Sequence, residues 1–474
     1  MLLLPVRGIA GEGTVFTLWP LIDYRHDARL DYTSLNAIGP FLKYERKGNE
    51  REYGLRPLYF HAGDSTQGAG YSEYLYPVAS RKKQPRLTYF QGLHLLNYDF
   101  GAREQGSENE FSLFPFLFYG RNETRGNYFA FFPIGGKIYE KFGRDEIRFA
   151  LFPLYGQTLK KDTSVTNVLW PVFARIKGEN ESGIKFWPLF GSSEKEGVYR
   201  KRFYLWPIVF RYDLGLNTDN PQYRRLIFPL FVGEESPQVT SRTYLWPFFS
   251  YREDRRRDYE EWNFPWPLFQ IAHGEYKEST RFLPLYAKER IGSLHKRWYL
   301  WPVYKIEQTS TDVLERRRDR VLYFLFSRID EKLHAEEGPR RQRVDLWPLF
   351  TYRQSDGVEH FHALSLLEPF FPGNTGIERN WSPLWRLYQR KWDSHGNEVS
   401  SLLWNLYWKE RRPDALAMEL FPLFRVQQQE DEFVDWQILK GLIRYRSDAE
   451  GKKVYMFYLP WGVGSRADTE RSEG

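Results

Sequence analysis

The side chains most able to do chemistry are scattered through this sequence. His360 and His362 stand two residues apart, the spacing that places both rings on one face of a strand. A metal needs a third ligand converging on them, and Glu359 points to the other face, so no metal site is expected. With 61 carboxylates in the chain, some pair always stands at glycosidase separation, and none is singled out. No phosphate loop of the GxxxxGK type, no GxSxG elbow and no HExxH pair occurs. The chain is therefore read as non-catalytic, with no cofactor.

What does recur is an aromatic residue in front of a proline. Tryptophan holds that place as Trp19, Trp170, Trp187, Trp206, Trp246, Trp266, Trp301 and Trp347, and phenylalanine as Phe114, Phe132, Phe152, Phe228 and Phe421. The position reads as a packing site, an aromatic ladder in which each cross-strand pair contributes about 0.2 to 1 kcal/mol. The sharper alternative is a stacking platform for sugar rings or acyl chains. Two copies break the rule: Arg56 in GLRPLY and Glu368 in LLEPFF put a charge where an aromatic ring belongs. A charge there needs a partner or solvent. Arg56 and Glu368 are the candidate ligand-binding residues, against the plainer reading that they mark irregular strands where the interior opens to water.

These residues must be positioned by a repeat. Motif prolines recur from Pro5 through Pro20, Pro40, Pro57 and Pro77 to Pro422 and Pro460, with Pro369 and Pro383 counted among them. Proline-less copies surround His94, Leu325, Asn405 and Lys440. Each apolar core is too short for an amphipathic helix and reads as a strand, flanked by turn signals such as KGNE and DSHGNE. The expected fold is all-β, an antiparallel up-and-down meander of about 24 strands closed or rolled into a large barrel-like sheet, with a β-solenoid as the alternative. Alternation of long and short intervals between prolines supports the meander, one kind of turn at each end. Proline cannot donate to a ladder, so each strand is expected to bend or bulge at it. The array is expected to run over residues 1–461 and a polar tail over 462–474. The opening MLLLPV looks like half a repeat, so the start is read as internal to a longer protein.

Composition sets the surroundings. Aromatic residues make up 18% and charged residues 27% of the 474 residues, so apolar clusters alternate with highly charged segments. The absence of cysteine excludes disulfides and thiolate metal sites and fits an extracytoplasmic location. The net charge of +7 does not point to nucleic acid, because runs such as YREDRRRDYEEW mix both signs. No run approaches the roughly 18 apolar residues of a membrane-spanning helix. In composition, strands of the YLWPFF kind resemble β-proteins of Gram-negative envelopes. That resemblance implies a bacterial envelope or extracellular location and carries over no functional residue.

The expected function is a β-repeat scaffold, envelope-associated or secreted, or a conduit for an amphipathic ligand such as lipid or lipopolysaccharide, with arginine and lysine meeting head-group phosphates. A soluble glycan-binding protein or glycosidase working through exposed tryptophans is the alternative from another class. An outer-membrane barrel is a third, although an apolar core of about six residues spans only ~20 Å, short of the ~25 Å such a barrel needs.

Overall fold

In a computed structural model, residues 13–466 are described apart from 29, 86, 94, 102–108, 335–339, 430–432 and 449–450. The half repeat at the start and His94 therefore lie outside the described residues.

Among the described residues the chain is all-β, an antiparallel up-and-down meander of 46 strands that is not closed into a barrel. The meander is as the sequence implied, whereas the strand count and the closure are corrected. The cause lies in the motif. The apolar cores read as strands are turns, and the residues flanking them form the strands, while the turn signals KGNE and DSHGNE do mark turns, at the opposite end of the strands. Tyr199–Tyr204 (YRKRFY) and Val209–Leu214 (VFRYDL) are paired strands, and the turn between them is Leu205, Trp206, Pro207 and Ile208. Each repeat unit is thus a hairpin and supplies two strands.

The proline follows the same logic. Peptide bonds from Trp19–Pro20 through Trp206–Pro207 and Trp246–Pro247 to Phe421–Pro422 are cis, which puts proline at the third position of a type VI turn. The fourth residue closes the turn onto the first, Ile208 N to Leu205 O at 2.7 Å and Phe248 N to Leu245 O at 3.0 Å. Standing in the turn, proline takes no hydrogen bond from the ladder, so no bulge or crease is needed to excuse it.

Since the motif copies outside the insertion described below join the two strands of a hairpin, the tips within a unit share one margin of its sheet and the charged turns share the other. Neighbouring tips are also bonded to one another. Leu205 N and Trp206 N donate to Leu189 O and Pro188 O at 2.8 and 2.7 Å, and Leu245 N and Trp246 N to Leu230 O and Pro229 O at 2.9 and 2.8 Å. The backbone along the margin is satisfied internally, which leaves its side chains free to face outward.

The chain divides into two compact units, Arg86–Thr311 and a second one formed by Met1–Pro85 with Asp312–Gly474. In Arg86–Thr311 the pairing runs strand by strand from Leu87–Gly92 to Tyr304–Ser310. Many of its strands alternate half-buried with exposed residues, as Glu181–Phe186 does, and ion pairs such as Arg224 with Glu234 at 3.2 Å cross between strands. A buried cluster of Phe118, Tyr128, Ala130, Ile138 and Tyr139 is its main apolar core. Gly136 makes that core possible: a Cβ there would meet Ala130 Cα at 2.3 Å, and its φ of +143° suits only glycine.

The other unit contains two strand runs, Gly13–Leu18 to Ala79–Gln84 and Leu314–Val321 to Val463–Arg466, which pack on each other through a polar interior. Asn405 Nδ2 donates to Asp23 Oδ2 at 2.6 Å, Trp19 Nε1 to Leu403 O at 2.8 Å, and Arg25 pairs with Glu410. The Arg25 guanidinium also lies 4.9 Å from the ring centre of Trp408, itself fully buried. The last strand, Val463–Arg466, lies within the stretch expected to be tail.

Candidate functional site

Two features could act on something outside the protein: the margin of tips, and the place where the repeat fails.

Along the margin the aromatic side chains stand out from the turns. Trp170, Trp206, Trp246 and Trp301 are 53, 47, 50 and 46% exposed, and Trp266 is similar. Trp19, Trp187 and Trp347 are half-buried. The rings meet their neighbours on the next tip, Phe152 with Trp170 at 5.6 Å, Trp187 with Trp206 at 5.7 Å and Phe228 with Trp246 at 5.5 Å between centroids. An aromatic ladder is present as the sequence suggested, but it runs from tip to tip instead of between strand centres, and its outer half faces solvent. Aliphatic residues share the exposure, among them Leu205, Ile208, Leu245 and Phe248.

The repeat fails between the strands Val358–Ala363 and Tyr388–Asp393, which pair directly but are joined by a long insertion in place of a tip. It carries two short helices, α1 (Thr375–Asn380) and α2 (Ser382–Trp385). Pro369 and Pro383 belong to this insertion, so neither makes the hairpin tip expected of it. Asn374 caps α1, accepting from Ile377 N at 3.0 Å and donating to the Tyr76 hydroxyl at 3.1 Å. Gly376 lets the Tyr76 ring lie against the helix, since a Cβ there would come within 2.5 Å of it.

Arg56 and Glu368, chosen from distant parts of the sequence, both serve this insertion. Arg56 Nε donates to Arg379 O at the end of α1 at 2.9 Å, and its Nη1 donates to Pro40 O at 3.0 Å. Burial pushes the Arg56 guanidinium down to about 10, with Glu45 and Glu52 opposing. Glu368 is fully buried, pairs with Arg386 at 3.2 Å and accepts from Trp385 Nε1 at 3.3 Å. Its carbonyl accepts from Arg343 Nη2 at 2.8 Å. The expectation that the interior opens to water at these positions is corrected, because the insertion closes over them. Both residues are tied to protein partners and hold a plug in place.

Sequence reasoning missed the rest of that plug. Asn380 Nδ2 donates to buried Glu73 at 2.6 Å, and Arg379 sits 4.8 Å over the Phe60 ring. Arg353 pairs with Glu378 at 2.6 Å. The signal available was PGNTGIERN, a glycine and asparagine turn followed by helix-capping residues, at odds with the period around it. His360 and His362 lie on the adjacent strand. Burial, with Arg386 and Arg353 nearby, holds His362 neutral, pushed down to about 2; burial and Lys391 push His360 down to about 4. Among the described residues no group of three or more potential metal ligands converges.

In comparisons with known proteins, no family model matches the chain and no curated protein matches it.

Proposed function

We propose that the protein is a non-catalytic β-repeat scaffold, envelope-associated or secreted, whose row of aromatic tips lies in the interface of a lipid layer. The observation that carries this reading is the apolar margin itself: tip after tip presents exposed Trp, Leu, Phe or Ile, backed by a satisfied backbone. Half-exposed tryptophans alone would serve a sugar ring equally well. The exposed aliphatic residues beside them favour lipid, because sugar platforms are made of flat aromatic faces.

Charge placement agrees. Arg148, Arg202, Arg224, Arg242 and Arg297 each stand four residues before the aromatic residue of their tip. On a strand that is about 13 Å from the tip. Arg148, Arg224 and Arg242 pair with Glu146, Glu234 and Glu235, so with interfacial segments sinking about 5 to 10 Å into the head-group boundary, Arg202 and Arg297 stand best placed to meet head-group phosphates, each contributing about 1 kcal/mol on an anionic surface. Among the described residues no helix is long and apolar enough to cross a membrane, and the reading needs none.

The test is flotation of the full chain with vesicles of phosphatidylcholine alone or mixed with phosphatidylglycerol. The protein should float with the mixed vesicles, less so as salt screens the arginines. Protein remaining at the bottom of the gradient with both compositions would overturn the proposal.

A further inference from the structure

Away from the tips, the first strand run of the two-run unit carries a second feature on its outer face. The strands Glu50–Leu55, Tyr59–Asp64, Ala69–Tyr74 and Ala79–Gln84 pair in order. Their register sets two cross-strand rows side by side, Tyr53, His61, Ser72, Arg81 and Arg51, Gly63, Gly70, Lys83. Members of the two rows are two residues apart on each strand, so both rows share one face. The second row has a cation at each end and no side chain between them. Together with the turn after Asp64 the rows line an open trough of about 330 Å³.

The two glycines shape this trough. A Cβ on Gly63 would stand 3.0 Å from His61 Nε2, and one on Gly70 3.1 Å from His61 Cε1. The imidazole therefore lies over the glycine floor, fixed by a 2.9 Å hydrogen bond between Nδ1 and the Ser72 hydroxyl and by the Tyr53 ring 4.9 Å away. Its Nε2 is directed over the floor. With strands about 4.8 Å apart, Arg51 and Lys83 are separated by about 14 Å at the backbone, a gap that two long side chains can close onto one group.

The charge in the trough is only partly balanced from within, by one carboxylate against three cations. Lys43, on the strand preceding these four, is held by Glu45 at 2.7 Å and Glu52 at 2.6 Å. Arg51, Arg81 and Lys83 make no such ion pair among the described residues. The one carboxylate lining the trough, Asp64, is committed to its own turn, accepting from Thr66 N at 2.8 Å and Gln67 N at 3.3 Å. Three cations thus line a trough whose glycine floor carries the His61 ring, and the hydrogen-bonded His61–Ser72 pair has one further N–H or O–H to offer. That set of donors suits a tetrahedral oxyanion.

We propose that this trough binds the phosphate group of a small, soluble phosphate ester such as a phosphorylated sugar. A phospholipid offers the same phosphate. The trough, however, lies next to the charged turns at 47–50 and 64–68, the margin opposite the apolar tips, so lipid held by the tips does not reach it.

Titration calorimetry on the full chain tests this, with glucose 6-phosphate, inorganic phosphate and glucose as probes. Glucose 6-phosphate should bind and glucose should not, with inorganic phosphate weaker than the ester. Arg51→Gln and Lys83→Gln, both exposed substitutions that leave packing intact, should each weaken ester binding at least tenfold. The His61 ring resonances should shift on saturation with the ester. Equal heats for glucose and its phosphate, or ester binding unchanged in both variants, would overturn the proposal. So would variants that lose binding to phosphatidylglycerol vesicles while keeping the ester, since the trough would then serve lipid. The lipid reading of the tips is independent of this outcome.

Discussion

Trp206 offers the cleanest perturbation of the apolar margin. A tryptophan side chain carries up to about 250 Å² of surface, and this residue is 47% exposed. About 120 Å² thus faces outward, worth at most ~3 kcal/mol at 25 cal/mol per Å² if lipid covered all of it. Partial coverage at the head-group boundary halves that, so Trp206→Ala should lower vesicle partitioning about tenfold. Trp246 stands two tips further along, four strand spacings or about 19 Å away, so the effects of the two substitutions should add. The double variant should bind about 100-fold more weakly. In the folded protein Trp206 loses mainly its contact with Trp187, whose ring centre is 5.7 Å away, a loss of about 0.5 to 1.5 kcal/mol. Flotation or a vesicle titration measures the first quantity, and thermal unfolding followed by circular dichroism measures the second. A partition coefficient within twofold of the wild type for the double variant, with the fold retained, would refute the reasoning. It would mean that the tips, exposed as they are, do not enter the lipid.

Three further outcomes follow from the plug. Glu368→Ala should destabilise the unit containing it by about 3 to 5 kcal/mol in denaturant unfolding, because Arg386 is left buried and uncompensated. Gly376→Ala should cost about 1 to 3 kcal/mol through overpacking against Tyr76, and the cost should shrink in the Tyr76→Ala background, a coupling that a double-mutant cycle measures. Stability should also fall on acidification. His362 and His360 are held neutral in the fold, pushed down to about 2 and about 4, whereas in the unfolded chain each takes a proton near pH 6.5. Their contribution is complete above pH 6.5 and drains away below it, by up to about 1.4 kcal/mol per pH unit for each histidine. His362→Gln should flatten that slope between pH 6.5 and 4, as urea unfolding at several pH values would reveal.

How much of this was legible beforehand depends on which physical signal carried it. The repeat, the β class and the meander were visible in the spacing of Pro20, Pro40, Pro57 and Pro77, because a period is a property of the chain alone. The oddity of Arg56 and Glu368 was visible for the same reason. Their meeting at one insertion was not, since Arg56 and Arg379 lie far apart in sequence and only packing brings them together. The apolar cores were assigned to strands although they are turns, because hydrophobicity marks a strand only where one of its faces is buried. Here YRKRFY is a strand with solvent along much of it, and the most apolar residues sit in the turn.

The sequence by itself determined that this protein is built of β-repeats, with an aromatic residue and a proline in most units and charge in between. Only the tertiary structure decided that the motif is a hairpin tip and that neighbouring tips lie on one margin of their sheet. It also decided that Trp170, Trp206, Trp246, Trp266 and Trp301 face outward. The reason is that a cis proline turn and a proline-bent strand have the same sequence. They differ in which backbone groups pair across the chain, and that is settled by strands meeting strands, such as Tyr204 opposite Val209, with Pro207 in the turn between them.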